Sequence, residues 1–122
     1  MALGSQLNSW LGARVTAALL GEQSTVSAAG TNRTTATAIT TANTIVSVVA
    51  AGTGVILPGA SVVGANDRLH VANHGANTLA VDPPAGGKLS NNGANVPALI
   101  APGKCADFYC IDGTSYTALL SA

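Results

Sequence analysis

The stretch Arg68-Leu69-His70-Val71-Ala72-Asn73-His74-Gly75-Ala76-Asn77-Thr78-Leu79-Ala80-Val81-Asp82 decides how the rest of the chain is read. Leu69 and Val71 alternate with His70 and Ala72, a period of two that sends one row of side chains inward and the other outward. A Gly-Ala-Asn turn signal interrupts the pattern, and a second apolar run follows. The same turn returns at Gly64-Ala65-Asn66 and Gly93-Ala94-Asn95. Phe108 and Cys110 alternate with Asp107 and Tyr109 in the same way, and Asp112-Gly113 then marks a hairpin.

Short runs between turn signals predict strands near 34–40, 44–50, 54–57, 68–73, 78–82, 87–89, 96–100, 105–111 and 115–120. The run Ile45–Val49 is apolar on both faces, as in a strand covered on both sides. Pro58, Pro83-Pro84, Pro97 and Pro102 fall at run edges, where a missing N–H does least harm. The expected fold is all-β: a small β-sandwich or jelly-roll-like barrel over residues 31–122.

The first thirty residues read differently. Residues 5–21 carry Leu7, Trp10, Leu11, Val15, Ala18 and Leu19 at helical spacing, with Ser5 as N-cap and Gly21 as C-cap. Such a helix is too short to stand alone and must pack on its own domain, on its copies or on a foreign surface. Residues 22–33 are small and polar and read as a linker or extended arm. Residues 1–30 are thus expected to form an N-terminal helix and arm.

The chain has 122 residues, of which 48% are hydrophobic, 8% charged and 3% aromatic. The charged fraction is far below the roughly 25% of ordinary soluble domains, and the excess is Ala, Gly, Thr, Ser and Asn rather than large apolar side chains. Few large anchors and little surface charge point to a chain that works in an oligomer or larger assembly. Arg14, Arg33, Arg68, Lys88 and Lys104 are scattered and the net charge is zero, which argues against direct nucleic-acid binding. No apolar run reaches the length of a membrane span, and the N-terminus lacks the basic region of a signal peptide. Folding in a cytoplasm is the expectation.

Candidate chemistry is sparse. His70 and His74 would share a strand face but stand about 13 Å apart, too far for one metal ion. Cys105 and Cys110 fall on opposite faces of one strand, about 16 Å apart, and are expected to stay reduced. Gly52-Thr53-Gly54 and Gly86-Gly87-Lys88 lack the remaining residues of a nucleotide loop. No Gly-x-Ser-x-Gly elbow occurs, Glu22 is the only glutamate, and the aspartates sit near turns, where Asp serves backbone hydrogen bonds. No catalytic, metal or cofactor site is expected, and the chain does not read as an enzyme.

Taken in order, the runs "TIVSVVAAGTGVILP", "RLHVANHGANTLAVDPPAGGKL" and "APGKCADFYCIDGTSYTAL" resemble the small β domains of tailed-bacteriophage virion proteins, particularly capsid decoration (cement) proteins and head or tail fibre modules. The positions that carry the resemblance are Val71, Asn73, Gly75-Ala76-Asn77, Val81, Pro83, Gly86, Pro102-Gly103, Phe108, Cys110, Gly113 and Tyr116. Tyr116 stands where Trp is common in that pattern. The resemblance covers about two thirds of the chain and consists of turn and core positions, so it speaks to fold more than to role.

The resemblance implies a homotrimer on the capsid surface of a virion, made in the host bacterial cytoplasm and bound to the major capsid protein. The N-terminal helix would then be the anchor, with Leu7, Trp10, Leu11, Arg14 and Val15 as partner-binding residues. A fibre module that binds a host glycan or protein is the alternative.

Overall fold

The structure, a computed structural model, describes residues 23–121. The predicted helix 5–21 lies outside the described residues, and with it Leu7, Trp10, Leu11, Arg14 and Val15. Among the described residues every regular element is a strand: β1 (Gln23–Ser27), β2 (Thr37–Ala38), β3 (Asn43–Val48), β4 (Gly54–Ile56), β5 (Arg68–Asn73), β6 (Leu79–Asp82), β7 (Ala98–Ile100), β8 (Cys105–Cys110) and β9 (Tyr116–Leu120).

These form two open, mixed sheets. Sheet I has the order β1-β3-β5-β8-β9 and sheet II the order β2-β4-β6-β7. The first six strands alternate between the sheets, and within each sheet they pair in parallel. Parallel neighbours require a crossover, and here the crossover is the intervening strand of the other sheet. The chain therefore advances like a coil for three turns. It then reverses: β7 pairs antiparallel with β6, β8 with β5, and β9 with β8. A jelly-roll-like barrel does not form, because the jelly roll is an antiparallel design and neither sheet here closes on itself.

One hydrophobic core lies between the sheets. Sheet I contributes Val46, Val71, Phe108 and Tyr116, and sheet II contributes Val55, Leu79, Val81 and Ile100. The predicted alternation holds in β5 and β8: Leu69, Val71, Phe108 and Cys110 are buried, while His70 and Tyr109 face outward. The apolar run in β3 is not covered on both sides. Val46 is buried but Val48 is exposed, because the register shift opposite Val26 and Ser27 inserts Ser47 as an extra residue and turns Val48 to the other face.

Two other departures have local causes. The small polar stretch read as an arm contains β1, held parallel to β3 by main-chain bonds and by Val26 packing on the core. The predicted strand 34–40 shrinks to Thr37–Ala38. The Asn32 carboxamide oxygen accepts the Thr34 N–H at 3.0 Å and the Thr35 N–H at 3.2 Å, which winds that segment into a turn. The run 87–89 contributes only a single parallel bridge, Leu89 to Tyr116.

Asn73, fully buried at the end of β5, ties both sheets together. Its Nδ2 donates to Asn77 O at 2.8 Å and to Ile100 O, in sheet II, at 2.9 Å. Its Oδ1 accepts the Gly75 N–H at 2.9 Å. Its main-chain N–H donates to Lys104 O at 2.9 Å and its carbonyl accepts Gly103 N–H at 2.8 Å. Asn77 extends the lock by donating from Nδ2 to Val49 O at 2.9 Å. Gly75 has no alternative here, since a Cβ would strike Val49 at 2.6 Å.

The Asp112-Gly113 hairpin forms between β8 and β9 as expected. The Asp112 carboxylate accepts the N–H groups of Thr114 and Ser115 at 3.0 and 2.9 Å. Gly113 takes φ +89°, a region open to glycine. At the far side of the core, the buried Tyr116 hydroxyl donates to Pro58 O at 2.6 Å.

Asn73→Ala would leave the buried Ile100 carbonyl and the part-buried Asn77 carbonyl and Gly75 N–H without these partners. A loss of about 3 kcal/mol is expected, read as a lower urea midpoint at unchanged slope. Asn73→Asp should cost at least as much, because a carboxylate cannot donate to Asn77 O and Ile100 O. Unchanged midpoints in both variants would remove Asn73 from its central place.

Candidate functional site

The outer face of sheet I is the best candidate surface, and strand register builds it in rows. Asn43, His70, Asp107 and Leu119 are cross-strand partners in sequence, and so are Ile45, Ala72 and Cys105. Because adjacent strands are in register and side chains alternate, each row stands on one face.

The only ion pairs among the described residues lie here. Arg68 Nη2 reaches Asp107 Oδ2 at 2.8 Å, and His70 Nδ1 reaches Asp107 Oδ1 at 2.7 Å. An ionised carboxylate only accepts, so the Nδ1 position of His70 is the donor. Arg68 also lies over the Tyr109 ring, with its guanidinium carbon 5.4 Å from the centroid. Partial burial pushes the Asp107 carboxyl up, but hydrogen bonds from His70 and Arg68, together with the Arg68 and His70 charges, outweigh it. The net result holds Asp107 below the ordinary carboxylate value. The cluster is thus closed on itself, with its carboxylate already shared between the Arg68 guanidinium and the His70 ring.

Beside it runs a shallow groove of about 270 Å³ whose walls include Cys105, Asp107, Leu119 and Leu120. Leu119 is 62% exposed and Leu120 48% exposed, an unusual state for two adjacent leucines.

His74 is exposed beyond the end of β5 and is not part of the cluster. Cys105 and Cys110 are both free thiols; Cys105 is half-buried at the groove and Cys110 is buried on the opposite face of β8. Burial raises the Cys110 thiol above its ordinary value. Asp67 and Asp112 serve turn hydrogen bonds. Asp82, at the end of β6, is buried, and that desolvation raises its carboxyl while the Arg33 charge opposes. Asp107 departs from the sequence reading: it sits in mid-strand and makes side-chain pairs. No sequence signal announced it, because His70 and Asp107 meet only through β5–β8 pairing across 37 residues.

Among the described residues no three His, Cys, Asp or Glu side chains come together as a metal-binding group. Among them, too, no helix is long and apolar enough to cross a membrane.

No family model matches the chain, and neither a curated protein nor a solved structure matches it.

The Asp107 cluster carries a pH dependence with a definite sign. A carboxyl held below its unfolded value of about 3.9 adds stability that is complete above that pH and disappears as pH falls through the folded-state value. Asp107→Asn should therefore be less stable than the parent near neutral pH, with the difference vanishing in acid. Thermal melts of both forms at pH 7 and at about pH 3 check this; a difference that grows in acid would refute it.

Proposed function

We propose that this chain is a virion structural protein, a capsid decoration (cement) protein that binds the major capsid protein shell as a homotrimer. The observation that carries the reading is the pairing of an almost uncharged chain with large apolar side chains left outside the β body. Leu119 and Leu120 are joined by Leu99 and Ile111 in this exposed set. Such surface serves contact with other protein rather than chemistry on a small molecule.

The motif that carries the resemblance supports the fold side of this reading. Asn73, Gly75 and Asn77 close the coil, while Phe108 and Tyr116 fill the core. These positions build a frame that can be set on a larger assembly. The fibre reading has less support. Phe108 and Tyr116 are fully buried, and Tyr109 already carries Arg68 over its ring, so no open aromatic platform for a sugar stands among the described residues.

In this reading the helix predicted for residues 5–21 supplies the anchor, and many weak contacts act together across the shell. Trp10→Ala in the full chain should weaken binding to shells lacking the protein by about 2 kcal/mol, roughly thirtyfold in affinity. Co-sedimentation over a range of protein concentrations reads this directly. Unchanged binding in Trp10→Ala and in Leu11→Lys would sink the anchor, and no binding by the parent chain would sink the decoration reading.

A further inference from the structure

We propose that the folded chain modifies itself at Asn92-Gly93: the Gly93 amide closes on the Asn92 side chain and converts it, through a cyclic imide, to aspartate and isoaspartate. Among the described residues the fold confines this chemistry to that one pair. The inference goes beyond the capsid reading and does not rest on it.

Asn92-Gly93 is the only Asn-Gly pair in the chain. It lies within residues 83–97, the connection between β6 and β7, and both residues are exposed. Hydrogen bonds pin this connection on either side of the pair. Gly86 N–H donates to Asn95 Oδ1 at 2.7 Å, and Asn95 N–H donates to Gly87 O at 2.9 Å. Ser90 N–H donates to Tyr116 O at 2.8 Å, and Asn92 N–H donates to Leu89 O at 3.1 Å. Among the described residues nothing holds the Asn92 carboxamide or the Gly93 N–H. These are the two groups the reaction joins, and both stand in water.

The Gly93 nitrogen gives its proton to hydroxide and attacks Asn92 Cγ. An N–Cγ bond forms and closes a five-membered ring. The bond from Cγ to the carboxamide nitrogen breaks, and that nitrogen leaves as ammonia with a proton from water, which regenerates the hydroxide. Water then adds to either ring carbonyl. Opening at Cγ restores the main chain with aspartate. Opening at the Asn92 main-chain carbonyl leaves the chain running through Cβ, as isoaspartate. One water is consumed, one ammonia is released, and nothing is oxidised or reduced.

Glycine in the following position favours the attack, since it has no Cβ to crowd the nitrogen and its backbone turns freely. Packing does not demand that glycine. A Cβ at Gly93 would meet Val96 Cγ2 at 3.6 Å, an ordinary contact, so the fold accepts alanine there.

Elsewhere the fold closes the same route. Asp112-Gly113 is the only Asp-Gly pair, and its Gly113 N–H is buried and donates to Cys110 Sγ at 3.0 Å. The N–H groups of Thr114 and Ser115 hold the Asp112 carboxyl below its ordinary value, in the ionised form that resists attack. Asn73 is buried with its carboxamide bound at both ends. Asn95 is bound through Oδ1, and the β-branched Val96 follows it. The unmodified chain has a net charge of zero, so each conversion sets one negative charge on an exposed loop of a neutral molecule. The change runs one way, so its extent records the age of the molecule.

Peptide mapping by mass spectrometry over a time course tests this in the full chain, with isoaspartyl methyltransferase and labelled methyl donor reading isoaspartate. Product should gather at Asn92, isoaspartate exceeding aspartate, faster as pH rises, with a more acidic band on isoelectric focusing. Gly93→Ala should slow the conversion about tenfold with an unchanged circular dichroism spectrum. The folded rate at Asn92 should lie within about tenfold of the rate in urea, because no opening of the structure is needed. Asp112 should yield isoaspartate in urea only. Asn92 intact after Asn8 or any other asparagine has turned over would overturn the inference. So would a folded rate slower than in urea by more than that margin, a rate untouched by Gly93→Ala, or isoaspartate at Asp112 in the folded chain.

Discussion

One buried carboxamide holds the two sheets in register. Asn73 spends both N–H groups on carbonyls from different parts of the chain, one in the 73–77 turn and one in sheet II. Its oxygen fixes the first amide of the turn that follows. A coil in which strands alternate between sheets has no hairpins to set its register in the first three turns. Register must then come from groups that reach across the core, and a side chain with both donors and an acceptor is suited to this. Buried in a low dielectric, each bond is costly to leave unmade, so the network admits few alternative arrangements. Tyr116 plays the matching part at the other side, where its hydroxyl holds Pro58 O.

How much of this was legible in the sequence follows from which features are local. Alternation in β5 and β8 was readable because each strand has one face on the core, and the period of two survives along six residues. The Asp112-Gly113 turn was readable because its hydrogen bonds stay within four residues. β1 was hidden, since Gln, Ser and Thr carry no hydrophobic period and Val26 alone marks the inward face. Parallel pairing was hidden for a deeper reason: turn signals tell where a strand stops, not which sheet the next one joins. The Arg68–Asp107–His70 cluster depends on that pairing, so it too was invisible.

The outer face of sheet I combines low charge with self-satisfied charge. An exposed ion pair contributes little to stability, about 1 kcal/mol or less. Its larger effect here is on recognition. Asp107 is engaged on both oxygens, and Arg68 is engaged by Asp107 and by the Tyr109 ring. Strong charge complementarity with a partner would have to break these contacts first. What remains free on this face to drive association is apolar surface at Leu119.

The sheet edges lead to the same conclusion from the opposite direction. An open edge invites another strand, and each edge here is blunted. In sheet II the edge strands β2 and β7 are only two and three residues long. In sheet I, β1 is polar and carries a register shift between Val26 and Ser27. The other edge, β9, is covered by residues 88–90: Tyr116 N–H donates to Lys88 O at 2.9 Å, and Tyr116 O accepts Ser90 N–H at 2.8 Å. The Ser90 hydroxyl then accepts from Ala118 N–H at 2.9 Å and turns its own proton toward Ala118 O at 3.4 Å. A chain with so little surface charge cannot rely on repulsion to stay apart from its copies. Geometry does that work along the edges, and contact is left to the faces, where side chains rather than main-chain groups decide the partner.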